Sequence, residues 1–363
     1  MTVEQQKMLV FVGSYAEASR SGVYVYALDE EKEELTLLDS VSGLKNPTFL
    51  NLDAEGRRLY SLAEGVSEDG AKVGEAVSFD IDTKSGRLSE ISRGIGVDAP
   101  ACHIQRVGSG RYLVLTSYHG GRIGLTALGE GGRIGALLDT QQYEGHGPHP
   151  ERQDRPHPHS ANLSPDGRFL FVPDLGMDRI RVYTVDTQND ALVYQGETPT
   201  HPGAGPRHMA FHPQGKLAFS INEVDSTITS FRYDSEAGTL QEIEHVSTLP
   251  EGFTEENTCA EIAVSDDGQF LYGSNRGHDS IVVFRIDRES GRLTLVEHVS
   301  TRGGHPRHFA LLPGGRHLLA ANRDSENNLV LFRVDKETGR LAFSGQAVTV
   351  SKPVCVQAAY FPQ

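Results

Sequence analysis

The sequence predicts an all-β fold: a seven-bladed β-propeller of four-stranded antiparallel blades, with residues 1–363 as a single domain. Three observations predict it. A two-phrase repeat recurs at about fifty residues, the spacing of propeller blades. Short apolar runs alternate with tight turns in a chain holding 39 glycines, which favours strands over helices. The two ends carry complementary halves of one unit.

The first phrase is an alternating strand, a turn ending in glycine, then a second strand. It reads NLDAEGRRLYSLAE, IQRVGSGRYLVLTSY, NLSPDGRFLFVPD, AFHPQGKLAFSINE, AVSDDGQFLYGSNR and ALLPGGRHLLAANR. The turn glycines, Gly56, Gly110, Gly167, Gly215, Gly268 and Gly315, are 54, 57, 48, 53 and 47 residues apart. The second phrase is an alternating strand, an acidic turn with glycine, and a short strand, as in VSFDIDTKSGRLSEI and IVVFRIDRESGRLTLV. Period-two alternation bounded by Asp and Gly turns is the hairpin pattern. Each unit therefore reads as four strands, A to D.

Six complete units start near Thr48, Cys102, His159, His208, Ala260 and His308. The N-terminal MLVFVGSY and GVYVYALDEEKEELTLL supply strands B, C and D without an A. The C-terminal KPVCVQAAYFPQ supplies an A with nothing after it. Pairing the two ends completes a seventh blade, closes the ring and leaves no unit with an open edge. An open array or two all-β domains would not need such ends. With no tryptophan in the chain, a repeat built on Trp-Asp is excluded.

Composition narrows the partners. A net charge of −15 opposes binding to nucleic acid or to anionic membranes. No stretch approaches the ~18 apolar residues of a membrane span. Cys102, Cys259 and Cys355 are too few and too scattered for a disulfide framework. The segment Met1–Lys7 lacks the apolar run of a secretion signal, so the expectation is a cytoplasmic protein. Ring closure needs no second copy, so the expectation is also a monomer.

In a propeller, strand A lines the central channel, and the residues leading into A share one mouth with the B–C loops. The segments leading into A bring His103, His159, Arg207, His208, Glu261, Arg307 and His308 to that mouth. The B–C loops bring Tyr118, Asp174, Glu223, Arg276 and Arg323. Arginines clustered against an acidic background suit a carboxylate or phosphate, although they could also pair with Asp174, Glu223 and Glu261. His159 and Glu223 suit an acid/base pair, or a hydrogen-bonded histidine beside a structural carboxylate. The stretch HGPHPERQDRPHPHS, residues 146–160, holds four histidines at irregular spacing. It reads as a polar surface loop and not as a metal site. Phosphate-loop, serine-elbow and zinc-protease motifs are missing from the sequence.

The runs RPHPHSANLSPDGRFLFVPDLGMDRIRVY, GPRHMAFHPQGKLAFSINE, LYGSNRGHDSIVVF and GGHPRHFALLPGGRHLLAANRDSENNLVLF resemble the seven-bladed propeller lactonase family. That family includes the bacterial propeller-type 6-phosphogluconolactonases and the fungal carboxy-muconate lactonizing enzymes. The resemblance covers essentially the whole chain. It implies lactone chemistry on a small anionic substrate, with no metal or other cofactor. It points to His159 in HPHS, Arg207 in GPRH, Glu223 in INE and Arg276 in SNRG as catalytic residues. His103, Tyr118, Asp174, His208, Arg307, His308 and Arg323 are expected around the substrate.

The expected reaction is hydrolysis of a sugar lactone, 6-phosphoglucono-δ-lactone foremost. Arg207 and Arg276 would hold the anion and the developing oxyanion, while His159 and Glu223 move protons. Lactone closure on an unsaturated dicarboxylate is the rival chemistry. A non-enzymatic scaffold is the rival class, and the polar mouth argues against it.

Overall fold

The computed structural model describes residues 6–362. Seven four-stranded antiparallel sheets form the molecule. Among the described residues there is no α-helix, only 3₁₀ turns at Gly108–Gly110 and Glu130–Gly132, and no helix is long and apolar enough to cross a membrane. Blade 1 is the composite blade. Its strand A, Pro353–Pro362, pairs antiparallel with its strand B, Gln6–Ser14, from Gln6↔Pro362 to Ser14↔Pro353. The inner strands of blades 2 to 7 are Leu50–Asp53, His103–Val107, Asn162–Leu163, Pro206–Phe211, Thr258–Val264 and Gly304–Leu311.

The hydrophobic core is divided among the interfaces between blades. Strand B of blade 1 shows why. Leu9 and Phe11 pack with Leu59, Val77 and Phe79 of blade 2. Met8, Val10 and Val12 pack with Leu319, Leu329 and Leu331 of blade 7. Alternate residues point to opposite faces of a strand, and both faces here are covered by a neighbouring blade. The middle strands therefore read as almost unbroken apolar runs. The outer strands keep a polar alternation, as in Thr239–Ser247, where Leu240 is buried between exposed neighbours. Similar clusters fill each of the other interfaces, so the packing runs unbroken around the ring.

The A–B turns behave as the repeat requires. Five of the six turn glycines adopt positive φ, Gly215 at 68° for example, a region that costs most other residues strain. The turn at Gly56 departs from this pattern, because Arg57 takes the left-handed position instead, at φ 53°.

Candidate active site

One mouth of the channel opens into a cavity of about 270 Å³. Its walls come from most of the ring. Thr48 and Phe49 lead from blade 2, Cys102 from blade 3, His159 from blade 4, Arg207 and His208 from blade 5, Arg307 and His308 from blade 7. The B–C loops add Tyr15, Glu64, Tyr118, His119 and Glu223.

Consecutive residues of a regular strand point to opposite faces, yet Arg207 and His208 both line the cavity, as do Arg307 and His308. The A–B register shifts between Pro206 and His208, and again between Pro306 and His308. A bulge of this kind re-aims one side chain. It lets one strand present a cation and, beside it, an imidazole.

Glu223 is the hub of the charged groups. Arg207 Nε lies 3.0 Å and Arg276 Nη2 2.8 Å from its Oε2, and Arg152 pairs with its Oε1. Neither Oε2 contact is aligned as a hydrogen bond, so these are charge contacts first. Burial would raise the carboxyl, but Arg276, Arg207, Arg152 and Arg307 outweigh it and hold Glu223 far below the usual carboxylate range. Glu223 is ionised at neutral pH. Arg207 also donates through Nη1 to Ala260 O at 2.7 Å, and Arg276 donates to Cys259 O.

His159 sits beside this hub, its Nε2 4.0 Å from Glu223 Oε2. Its Nδ1 is buried without a partner among the described residues. Burial, with the positive field of Arg207 and Arg307, pushes its pKa well below the histidine norm, so the ring is neutral. Tyr118 and His208 meet it edge-on, at 5.5 and 5.3 Å between ring centroids.

Below lies a second tier. His208 Nδ1 and His308 Nε2 approach the same Oε2 of Glu261, at 3.0 and 3.1 Å. His308 Nδ1 accepts from Val356 N, which leaves its Nε2–H to donate to Glu261. Phe49 packs against His103, His208 and His308, with centroid distances of 4.2, 5.9 and 5.7 Å.

Among the described residues, Arg307 alone of the cavity's arginines lacks a counter-ion. It is half-buried, and among the described residues it has no acidic partner within ion-pair distance and no hydrogen bond. Its guanidinium lies 6.0 Å from the Tyr15 ring centroid. The Cys102 thiol, also on the wall, is pushed up to about 11 by burial and stays protonated, so it is no ready nucleophile.

Five residues expected at the mouth stand elsewhere, and Glu261, in the second tier with His208 and His308, is one of them. Arg276 lies behind Glu223 and is outside the cavity wall. His103 is buried under Phe49 and accepts from Ala161 N. Arg323 is spent on its neighbour Asp324, with 2.7 Å between Nη2 and Oδ2. Asp174 is wholly buried and serves the backbone, accepting from His157 N at 2.8 Å and Gly176 N at 2.9 Å. Burial pushes its carboxyl up to about 7.

The histidine-rich segment departs from the expected surface loop. Gln153 is fully buried and donates to Leu175 O and Asp178 Oδ1. His157 stacks on Tyr118 at 4.1 Å. The fit is close enough that a Cβ on Gly176 would stand 1.9 Å from Arg155 O. This loop delivers Arg152 to Glu223, a residue that sequence reasoning missed. Blade periodicity cannot find it, because the loop has no counterpart in the other units.

The chain matches the family model described as lactonase, 7-bladed beta-propeller, over residues 9–358. It belongs to that family. The 6-phosphogluconolactonase of Bacillus subtilis is 36% identical over 352 residues, covering 97% of this chain and 98% of that one. The 6-phosphogluconolactonase of Formosa agariphila is 35% identical over 326 residues, or 88% of this chain and 90% of that one. Among solved structures, the periplasmic gluconolactonase of Pseudomonas aeruginosa superposes with a TM-score of 0.89 at 31% identity, covering 98% of this chain and 99% of that one. The protein is a lactonase, and the scaffold alternative falls.

Proposed function

We propose that the protein hydrolyses a small anionic sugar lactone, 6-phosphoglucono-δ-lactone to 6-phosphogluconate foremost, without a metal in the chemistry. Arg307 carries this reading. A cation without a counter-ion inside the cavity of a chain with net charge −15 suits an anionic group of the substrate.

The neutral His159 takes a proton from water as that water attacks the lactone carbonyl. Arg207 faces the oxyanion that develops. Glu223, already ionised, cannot donate a proton; its charge balances the imidazolium that forms 4.0 Å away. The same imidazolium then protonates the leaving ring oxygen, which balances the step. Arg276 and Arg152 hold Glu223 in place. An anionic substrate offsets the field of Arg307 and Arg207 that depresses His159, so binding makes the ring more basic. A lactone is an activated ester and needs no covalent nucleophile.

The test is pH-stat hydrolysis of freshly made 6-phosphoglucono-δ-lactone in EDTA, with the spontaneous rate subtracted. Saturable acceleration is expected, and His159→Gln should lower kcat by ~10²–10⁴. Wild-type rates in that variant would remove His159 from the chemistry. Glucono-δ-lactone belongs in the same panel, because one relative is a gluconolactonase by name. A higher kcat/KM on that sugar would shift the assignment to unphosphorylated lactones.

A further inference from the structure

We infer a second site on blade 5, a clasp for one divalent transition-metal ion of the zinc type, formed by His201, Glu242 and His245. One ligand-capable atom from each lies within 4.8 Å of the other two. His245 Nδ1 and Glu242 Oε1 are already 3.0 Å apart, close to the separation of two ligands on one tetrahedral ion with bonds of ~2.0–2.1 Å. The His201 and His245 rings stack 4.1 Å apart, centroid to centroid, so the exposed His245 must turn for both nitrogens to face one ion.

The state of His201 supports the assignment independently. Its Nε2 is hydrogen-bonded to Asp225, while its Nδ1 is buried and has no partner among the described residues. A carboxylate on one ring nitrogen, with the other left to bind, is the usual arrangement around a metal-ligating histidine. Asp225 is thus the supporting residue and His201 Nδ1 the ligand. Glu242 and His245 belong to the exposed outer strand Thr239–Ser247, where their side chains can rotate the remaining ångström. Three imidazole and carboxylate ligands leave a fourth position for water, a set suited to zinc and its neighbours and not to calcium or magnesium.

The clasp would join segments that matter to the cavity. His201 lies in the loop that leads to Arg207. Asp225 follows Glu223 by two residues. Within this region, Glu223 N donates to Gly205 O at 2.7 Å and Val224 N to Ala204 O at 3.1 Å. The ion would tie both loops to the outer edge of their own blade. None of its ligands lines the cavity, so its role is to hold loops and not to activate the lactone; the inference stands whichever lactone is the substrate.

The experiment is calorimetric titration of Zn²⁺ into the metal-stripped, tag-free full chain. One saturable equivalent is expected, absent in His201→Ala and in His245→Ala and present in His146→Ala. Asp225→Asn should weaken it by ~10–100-fold. Zn²⁺ should raise Tm in the wild type and not in His245→Ala. His245 is exposed, so that variant is expected to fold, and far-UV circular dichroism checks it. No saturable equivalent in the wild type, or an unchanged one in His245→Ala, overturns the site.

Discussion

Replacing Arg307 by alanine removes a cation from the cavity without breaking any ion pair of the empty protein. The effect on stability should therefore stay within about 0.5 kcal/mol. The effect on catalysis should be large. A charge-assisted hydrogen bond contributes ~1.5–3 kcal/mol, and 1.36 kcal/mol is tenfold in rate, so kcat/KM on the phosphorylated lactone should fall by about 10–150-fold. Arg276→Ala supplies the contrast. It leaves Glu223 balanced by Arg207 and Arg152 but takes a buried guanidinium from Cys259 O, and an unsatisfied buried group costs ~1–3 kcal/mol in stability. Both variants are measured by thermal melting and by pH-stat kinetics on 6-phosphoglucono-δ-lactone and glucono-δ-lactone. A loss in Arg307→Ala confined to the phosphorylated substrate places Arg307 at the phosphate. An equal loss on both places it at the reacting ring. Wild-type kcat/KM on both lactones refutes the assignment of Arg307 to substrate binding.

Arg152→Ala should lower kcat by at least ~10-fold with little change in Tm, because the loop that carries Arg152 is separately anchored by Gln153; unchanged kinetics would reduce the Arg152–Glu223 contact to packing. Acid should destabilise the fold in two windows. His103, His159, His208 and His308 are all held below 6.5 by burial first, His308 at about 4, so the unfolded chain binds more protons below pH 6.5 and stability falls from there toward pH 4. His308 alone accounts for about 3 kcal/mol of that loss. Glu223, depressed instead, keeps its contribution until pH drops below the ordinary carboxylate range. A Tm that stays flat from pH 7 to pH 4.5 would contradict the neutral histidines. Deleting residues 353–363 removes strand A of blade 1, with Val354, Cys355, Val356 and Phe361 all buried. At ~1.5–3 kcal/mol per apolar side chain the loss rivals the stability of a whole domain, and the truncated chain should fail to give a cooperative melt.

The blade repeat was legible because it is local. Two strands and a turn announce themselves by alternation and a glycine, and the ends announce closure because one holds what the other lacks. The same logic put His159, Arg207, Glu223, Arg307 and His308 at one mouth, where the structure has them. It failed for Arg276 and Arg323, which occupy B–C loop positions equivalent to that of Glu223, and for Asp174, which stands one position earlier, in register with Asn222. Equivalent positions fix direction along the channel. They do not fix depth or partner. Arg323 is followed by Asp324 and turns to it, and Asp174 is consumed by two backbone N–H groups.

The sequence by itself therefore determined the number of blades, the closure of the ring and the mouth at which charged side chains gather, because each follows from periodicity along the chain. The tertiary structure alone decided which of those charges stays free. Bulges at Pro206 and Pro306 turn Arg207 and Arg307 into the cavity, a one-residue slip that leaves the apolar pattern untouched. A loop without a repeat counterpart brings Arg152 to Glu223, and the outer strand of blade 5 brings His245 to His201. Such pairings depend on distance between residues far apart in sequence, and burial then sets their charge: Glu223 ionised among arginines, His159 neutral beside it, Arg307 without a counter-ion.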